Sequence, residues 1–187
     1  MNIKGKKVTL RALEKSDLPL ILKWSNDPEL QYWLGGWHFP SSMATMEKWL
    51  ERISEDQSNL RFAIENEEEE LIGSANLVSI NWKDRNAFTG MMLGNTNNRS
   101  KGYGTDTVMA IMRYAFEELG LERLDTTIIE YNKPSLKLYC DKCAWEKEGV
   151  KKNWYWRKNR YWDKIIVGIN HNNYSELIKQ NKYWESD

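Results

Sequence analysis

No excess of charge of either sign is present: 27 Lys and Arg stand against 27 Asp and Glu. The overall balance therefore draws the chain neither to nucleic acid nor to an acidic membrane surface. Histidine and cysteine are scarce, at two each. Structural zinc asks for about four ligands, and His38 and His171 are the only imidazoles, so no metal is expected. Cys140 and Cys143 do form a C-x-x-C, but late in a helical run, where no N-terminal dipole lowers a thiol's pKa, so redox chemistry is not expected either. No apolar run approaches the ~20 residues of a spanning helix, which argues against a membrane partner. The opening MNIKGKK has lysines without an apolar stretch behind them and does not read as an export signal. The expected compartment is the cytoplasm.

Aromatic residues, by contrast, are abundant, with ten Trp and nine Tyr in 187 residues. At that length a single domain, residues 1–187, buries a substantial core, and the aromatics supply both core and flat walls for pockets. Lys7–Leu13 alternates as a strand does. Ser16 opens a helix with Leu18, Ile21 and Leu22 on one face, ended by Asn26-Asp27-Pro28. After the glycine-broken aromatic segment 31–40, a second helix carries the stripe Met43, Met46, Trp49, Leu50 and Ile53. Strands follow over 59–64, 71–80 and 88–93, with the acidic run 65–70 as a hairpin turn. A helix with Val108, Ile111, Met112, Ala115 and Leu119 on one stripe ends at Gly120. Then come a strand over 123–130, a short helix begun by Pro134, and two strands over 145–156 and 161–169. The polar tail, about 171–187, reads as weakly structured. This order predicts an α+β (layered α/β) fold, a mixed sheet with helices on its faces.

The most informative stretch is 98–105, NRSKGYGT, between a strand and a helix. The first N–H groups of a helix have no internal partner, and the helix dipole adds partial positive charge there. Gly102 and Gly104 let backbone approach a bulky anion, and Arg99 and Lys101 add mobile charge. GYGTDT lacks the third glycine of a dinucleotide fingerprint, and no Walker lysine follows. A phosphorylated cofactor is one reading; a turn needing glycine for geometry alone is the other.

Two motifs decide between them by resemblance. Arg99-Ser100-Lys101-Gly102-Tyr103-Gly104 is similar to the R/Q-x-x-G-x-G/A loop of the GNAT superfamily of N-acetyltransferases. Asn132-x-x-Ser135-x-x-x-Tyr139 resembles that family's second signature. The likeness runs from about Lys7 to about Asn170 and is nearest the branch that acetylates ribosomal-protein N-termini and polyamines. It implies a mostly antiparallel sheet in which the strands 88–93 and 123–130 splay apart around a pantetheine arm. It implies acetyl-CoA as co-substrate, with the pyrophosphate on Arg99, Ser100, Lys101, Gly102, Tyr103, Gly104 and Thr105. Met91, Met92 and Leu93 would pair with the pantetheine amides, Asn132 and Ser135 would touch the coenzyme arm, and Tyr139 would protonate the departing thiolate. The acceptor would be the primary amine of a small molecule or a peptide, walled by Trp33, Trp37, His38 and Trp154, with Asp27 and Glu29 attracting a cation. A homodimer is within the family's range.

The chain departs from the pattern twice. Ala144 stands where most members have glycine before an aromatic, and Ala87-Phe88-Thr89-Gly90 lacks the branch's glutamate. Glu130 and Asp84 are the substitute bases; a neutral amine would need none. Two other functions stay open. One is a non-catalytic acyl-CoA sensor. The other is an RNA binder using 147–164, where seven basic residues face Glu148 and Asp163 among interleaved aromatics. Strand alternation explains that segment without RNA: Trp154 and Trp156 share one face, Tyr155 and Arg157 the other.

Overall fold

The computed structural model describes residues 1–36, 39–94, 98 and 100–185. Among them Ile3–Lys4 (β1), Thr9–Ala12 (β2), Leu60–Glu65 (β3), Leu71–Asn81 (β4), Asn86–Leu93 (β5), Arg123–Ile129 (β6), Glu146–Arg157 (β7) and Arg160–Asn170 (β8) form one sheet, ordered β1-β2-β3-β4-β5-β6-β8-β7. Its pairs are antiparallel except β5 with β6. The acidic run is the β3–β4 turn: the Asn66 side-chain oxygen accepts the Glu68 and Glu70 N–H groups.

Helices cover both faces. Leu18–Ser25 (α1), Pro28–Tyr32 (α2) and Met43–Ser54 (α3) precede β3; Tyr103–Arg113 (α4) joins β5 to β6; Lys133–Leu136 (α5) precedes β7; His171–Asn181 (α6) follows β8. α4 and α5 each continue into a π-helical turn, over Tyr114–Glu118 and Lys137–Lys142. The ring of Phe62 meets Tyr114 edge-on at 6.1 Å, so Phe62 and its in-register partners Ala75 and Met91 face α4. By the pleat, Arg61, Asn76, Gly90 and Met92 face the other way. There Met92 joins a smaller core of Ile21, Trp24 and Leu30 from α1 and α2. The stripe expected on α3 forms, yet this chain buries none of its residues fully.

One carboxylate locks the start of α4 to the rest. Asp106 is 1 % exposed and accepts the N–H groups of Lys6, Lys7 and Val8 and the hydroxyl of Tyr183. The residues after 171, expected to be weakly structured, thus include a docked helix. Its Asn170 caps it through the Asn173 N–H, Tyr174 is buried, and the Tyr174 hydroxyl donates to Glu117. Tyr174, Leu177 and Ile178 pack on the core at helical spacing, a short stripe that polar neighbours mask in the sequence. In the C-x-x-C pair, burial pushes the Cys143 thiol up to about 12 and raises that of Cys140 as well.

Ala144 has φ +58°, a left-handed conformation that costs a residue with a Cβ about 1–2 kcal/mol. The family's usual glycine belongs here on backbone grounds. Ala144→Gly is expected to stabilise the fold by roughly 0.5–1 kcal/mol, after the extra flexibility of glycine in the unfolded chain is counted. Urea denaturation measures this; a destabilisation would contradict the assigned conformation.

Candidate functional site

β5 and β6 pair through Asn86–Arg123, Ala87–Leu124 and Phe88–Asp125, then stop pairing, although β5 runs on to Leu93 and β6 to Ile129. Past Phe88 the unpaired edges leave a gap. A cavity of about 470 Å³ lies against it, within the range of small-molecule sites. Met91, Met92 and Leu93 line it from β5, Ser100, Gly102, Gly104 and Thr105 from the glycine loop, Asn132 and Ser135 from the start of α5, and Trp33 from the end of α2. These ten expected site residues are therefore brought together.

The floor of the cavity is the N-terminus of α4. Gly102 takes the N-cap position with φ +92°, and no side chain caps the helix. The first internal bond is Asp106 N–H to the Gly102 carbonyl, so the N–H groups of Tyr103, Gly104 and Thr105 have no partner among the described residues. Four orphan donors at a helix start are normally capped or hydrated, and an anion does both jobs. Gly104 needs no special backbone conformation; instead, a Cβ there would stand 3.1 Å from the Met91 methyl and 3.4 Å from Leu138, inside the cavity wall. Lys7, which sequence reasoning missed, lies over Gly102 and donates through Nζ to the Lys101 carbonyl at 2.9 Å. Its signal was invisible because nothing local shows that the β1–β2 turn docks on the start of α4, where Asp106 holds it.

The opposite wall is α5 and its π turn. Asn132 does two structural jobs: its oxygen accepts the Ser135 N–H and its Nδ2 donates to the Trp33 carbonyl at 3.0 Å. Trp33 is further held by an aromatic cluster, edge-on to Tyr32 and Tyr131, which stack on each other at 4.5 Å. Lys137 and Lys142 also line the cavity and were not anticipated; a helix that reads as polar outward gives no hint that its lysines flank a ligand.

Several expected residues are placed elsewhere. Leu138, not Tyr139, lines the cavity; the Tyr139 ring is 5 % exposed and packs edge-on to Trp145 at 5.0 Å. Burial raises the phenol's pKa above its ordinary value, and its hydroxyl makes no hydrogen bond among the described residues. Glu130 is not at the cavity: its N–H donates to the Asp163 carbonyl and its carboxylate accepts the Asp163 N–H, extending the β6–β8 ladder. Asp84 accepts from Asn81 in the distant β4–β5 turn. Trp154 is half exposed on β7, with the ammonium groups of Lys151 and Lys164 at 4.8 and 4.7 Å from its ring, while the neighbouring Tyr155 is the buried one. Tyr103 buries its side chain and Lys101 points to solvent, so only their backbone can serve the loop. Asp27 is committed to capping α2, accepting the Glu29 and Leu30 N–H groups. Arg99, Trp37 and His38 lie outside the described residues. A second cavity of about 420 Å³ sits between the end of α1, α2, Phe39–Pro40 and Arg157. Among the described residues no Asp or Glu lines either cavity.

Comparison with known proteins adds four findings. The family described as Acetyltransferase (GNAT) domain matches residues 7–140. The prophage-derived N-acetyltransferase YokL of Bacillus subtilis (strain 168) is 27% identical over 166 residues, covering 88% of this chain and 90% of its own. The spermidine N(1)-acetyltransferase of Vibrio cholerae is 26% identical over 157 residues, 83% and 88% of the two chains. A crystal structure of the Vibrio cholerae spermidine N-acetyltransferase with CoA and spermine superposes with TM-score 0.83 at 24% identity, covering 90% of this chain and 98% of that one. At that identity the likeness speaks for the fold.

The two glycines are distinguishable by stability. Gly102→Ala, at φ +92°, is expected to cost about 1–2 kcal/mol. Gly104→Ala, in the first turn of α4, is expected to be neutral or slightly stabilising, since alanine favours the helix by up to about 1 kcal/mol. Equal damage from both in urea denaturation would mean that both serve the turn, and that Gly104 is not kept small for a ligand.

Proposed function

The chain belongs to the GNAT acetyltransferase family, and from that premise we propose that it transfers the acetyl group of acetyl-CoA to a primary amine by direct attack in a ternary complex. The observation that carries the proposal is the uncapped start of α4 facing the gap between β5 and β6. The pyrophosphate takes the free N–H groups of 103–105, with Lys7, Lys137 and Lys142 adding charge. The pantetheine arm lies along the unpaired edge of Met91–Leu93, and an N–H of that edge polarises the thioester carbonyl. The amine nitrogen attacks the carbonyl carbon, the C–S bond breaks, and the amine's proton passes to water. With no carboxylate lining either cavity among the described residues, the acceptor ammonium gives its proton to water before it attacks as the neutral amine. The cytoplasm, where acetyl-CoA is made and used, is the compartment this reading implies. The half-buried stripe of α3 fits a homodimer, which would cover what one chain leaves open.

Tyr139 is proposed to protonate the thiolate. Its support is the second signature motif, in which it stands four residues after Ser135, next to Leu138, which lines the cavity. Its raised pKa keeps the proton in place through neutral and alkaline pH.

Acetyl-CoA at a hundredfold excess over its Kd is expected to stabilise the protein by about 2.7 kcal/mol, a rise in melting temperature of roughly 5–10 °C. Gly102→Val with Gly104→Val abolishes that shift; a double variant that folds and binds with wild-type affinity refutes the loop assignment.

Tyr139→Phe keeps the ring against Trp145 and removes the proton. Single-turnover transfer is expected to fall by a factor on the order of 10² to 10⁴, with coenzyme affinity unchanged. Wild-type speed would show that Tyr139 is a core aromatic only.

A further inference from the structure

On the α1–α3 face two buried polar atoms, on neighbouring side chains, have no partner among the described residues. Arg61 on β3 is directly opposite Asn76 on β4, and Asn76 is directly opposite Gly90 on β5. The Arg61 Nε and the Asn76 Oδ1 are both buried without a hydrogen bond. No described carboxylate meets the Arg61 guanidinium, and burial pulls its pKa down with no acid to oppose the shift. Directly opposed residues on one sheet face hold their Cβ atoms about 4.5–5.5 Å apart, so a single small ligand reaches both. The row also borders the point where β5 leaves β6, although none of Arg61, Asn76 and Gly90 lines either cavity. Gly90 has no side chain, the Asn76 amide lies 3.6 Å from where its Cβ would be, and β5 leaves β6 just before it, at Phe88. Met92, on the same face two residues on, lines the larger cavity.

The chemistry of the pair is specific. A guanidinium left unpaired in a partly dry site calls for a planar anion, which it grips with two parallel N–H bonds. An unpaired amide oxygen calls for an N–H donor. We infer that Arg61 and Asn76 bind the acceptor, and that the acceptor is an amine carrying a carboxylate a few bonds away, the chemistry of a free amino acid. The carboxylate docks on Arg61, and the amine donates to the Asn76 oxygen on its way to the gap beside Gly90. This deepens the acetyl-transfer reading and depends on it. It also sets this chain apart from a polyamine site: a polycation needs acidic walls, and the described lining of the second cavity holds Arg157 and no Asp or Glu.

The test uses the full chain with acetyl-CoA and compares free amino acids, their methyl esters and spermidine as acceptors, following thiol release. The reading predicts that at least one free amino acid outcompetes its own ester by a factor on the order of 30 or more in kcat/KM, the usual loss when a buried charge pair is broken. Arg61→Gln should cause the same loss for the acid and none for the ester, with the acetyl-CoA melting shift intact; Arg61→Lys should recover only part of it. If Arg61→Gln misfolds, the acid-to-ester ratio of the unmodified protein decides alone. If no amine turns over, calorimetry of the amino acids and esters against the CoA complex decides, and equal or absent binding of the acids overturns the inference. Preference for spermidine or for esters, with acetyl-CoA binding retained, overturns it while leaving acetyl transfer standing. Loss of acetyl-CoA binding itself would instead overturn the wider reading.

Discussion

Everything functional in this chain depends on two neighbouring strands ceasing to hydrogen-bond. Unpaired backbone inside a sheet is costly, because each buried N–H or C=O without a partner loses on the order of a hydrogen bond's desolvation. β5 and β6 form three residue pairs and then separate, leaving both edges unsatisfied beside a cavity. Such an opening persists only if the elements on either side are fixed independently. β5 is held over Phe88–Leu93 by unbroken antiparallel register with β4, and β6 by seven pairs with β8. The parting also falls at the one parallel contact, where the connection must cross over through α4, so the helix start is delivered directly to the open edge.

That delivery is then locked. Asp106 gathers three backbone N–H groups from the β1–β2 turn and a hydroxyl from the C-terminal segment. Its position one turn into α4 satisfies residues remote in sequence while leaving the first N–H groups of the helix unused. Gly5 is part of the same joint: a Cβ there would stand 2.2 Å from the Asp106 carboxylate. Stability and, on the proposed function, ligand binding thus fall to adjacent turns of one helix. The rigid joint holds the flexible-looking glycine loop, which is the arrangement a preorganised anion site requires.

The sequence was most legible where chemistry is written in local spacing. Gly102 and Gly104 at a helix mouth, and Asn132 and Ser135 at the start of α5, meet at one cavity as their motifs implied. Period-2 alternation correctly separated Tyr155, which is buried, from Trp154 and Trp156, which are exposed. What stayed hidden was set by register. Nothing local reveals that Arg61 faces Asn76, since that depends on how β3 and β4 align. Lys7, Lys137 and Lys142 read as ordinary surface charge until the fold surrounds a ligand-sized space with them. Glu130 shows the converse: named as a substitute base, it has its carboxylate taken up by the Asp163 N–H, away from the cavity lining.

The central claim is that acetyl-CoA occupies the gap between β5 and β6 with its pyrophosphate on the start of α4. A crystal structure of the protein with acetyl-CoA tests it most directly. The account predicts pyrophosphate oxygens within about 3 Å of the N–H groups of residues 103–105 and pantetheine amides paired with Met91–Leu93. Coenzyme bound elsewhere, with the α4 N-terminus empty and the two strand edges still unpaired, would contradict it.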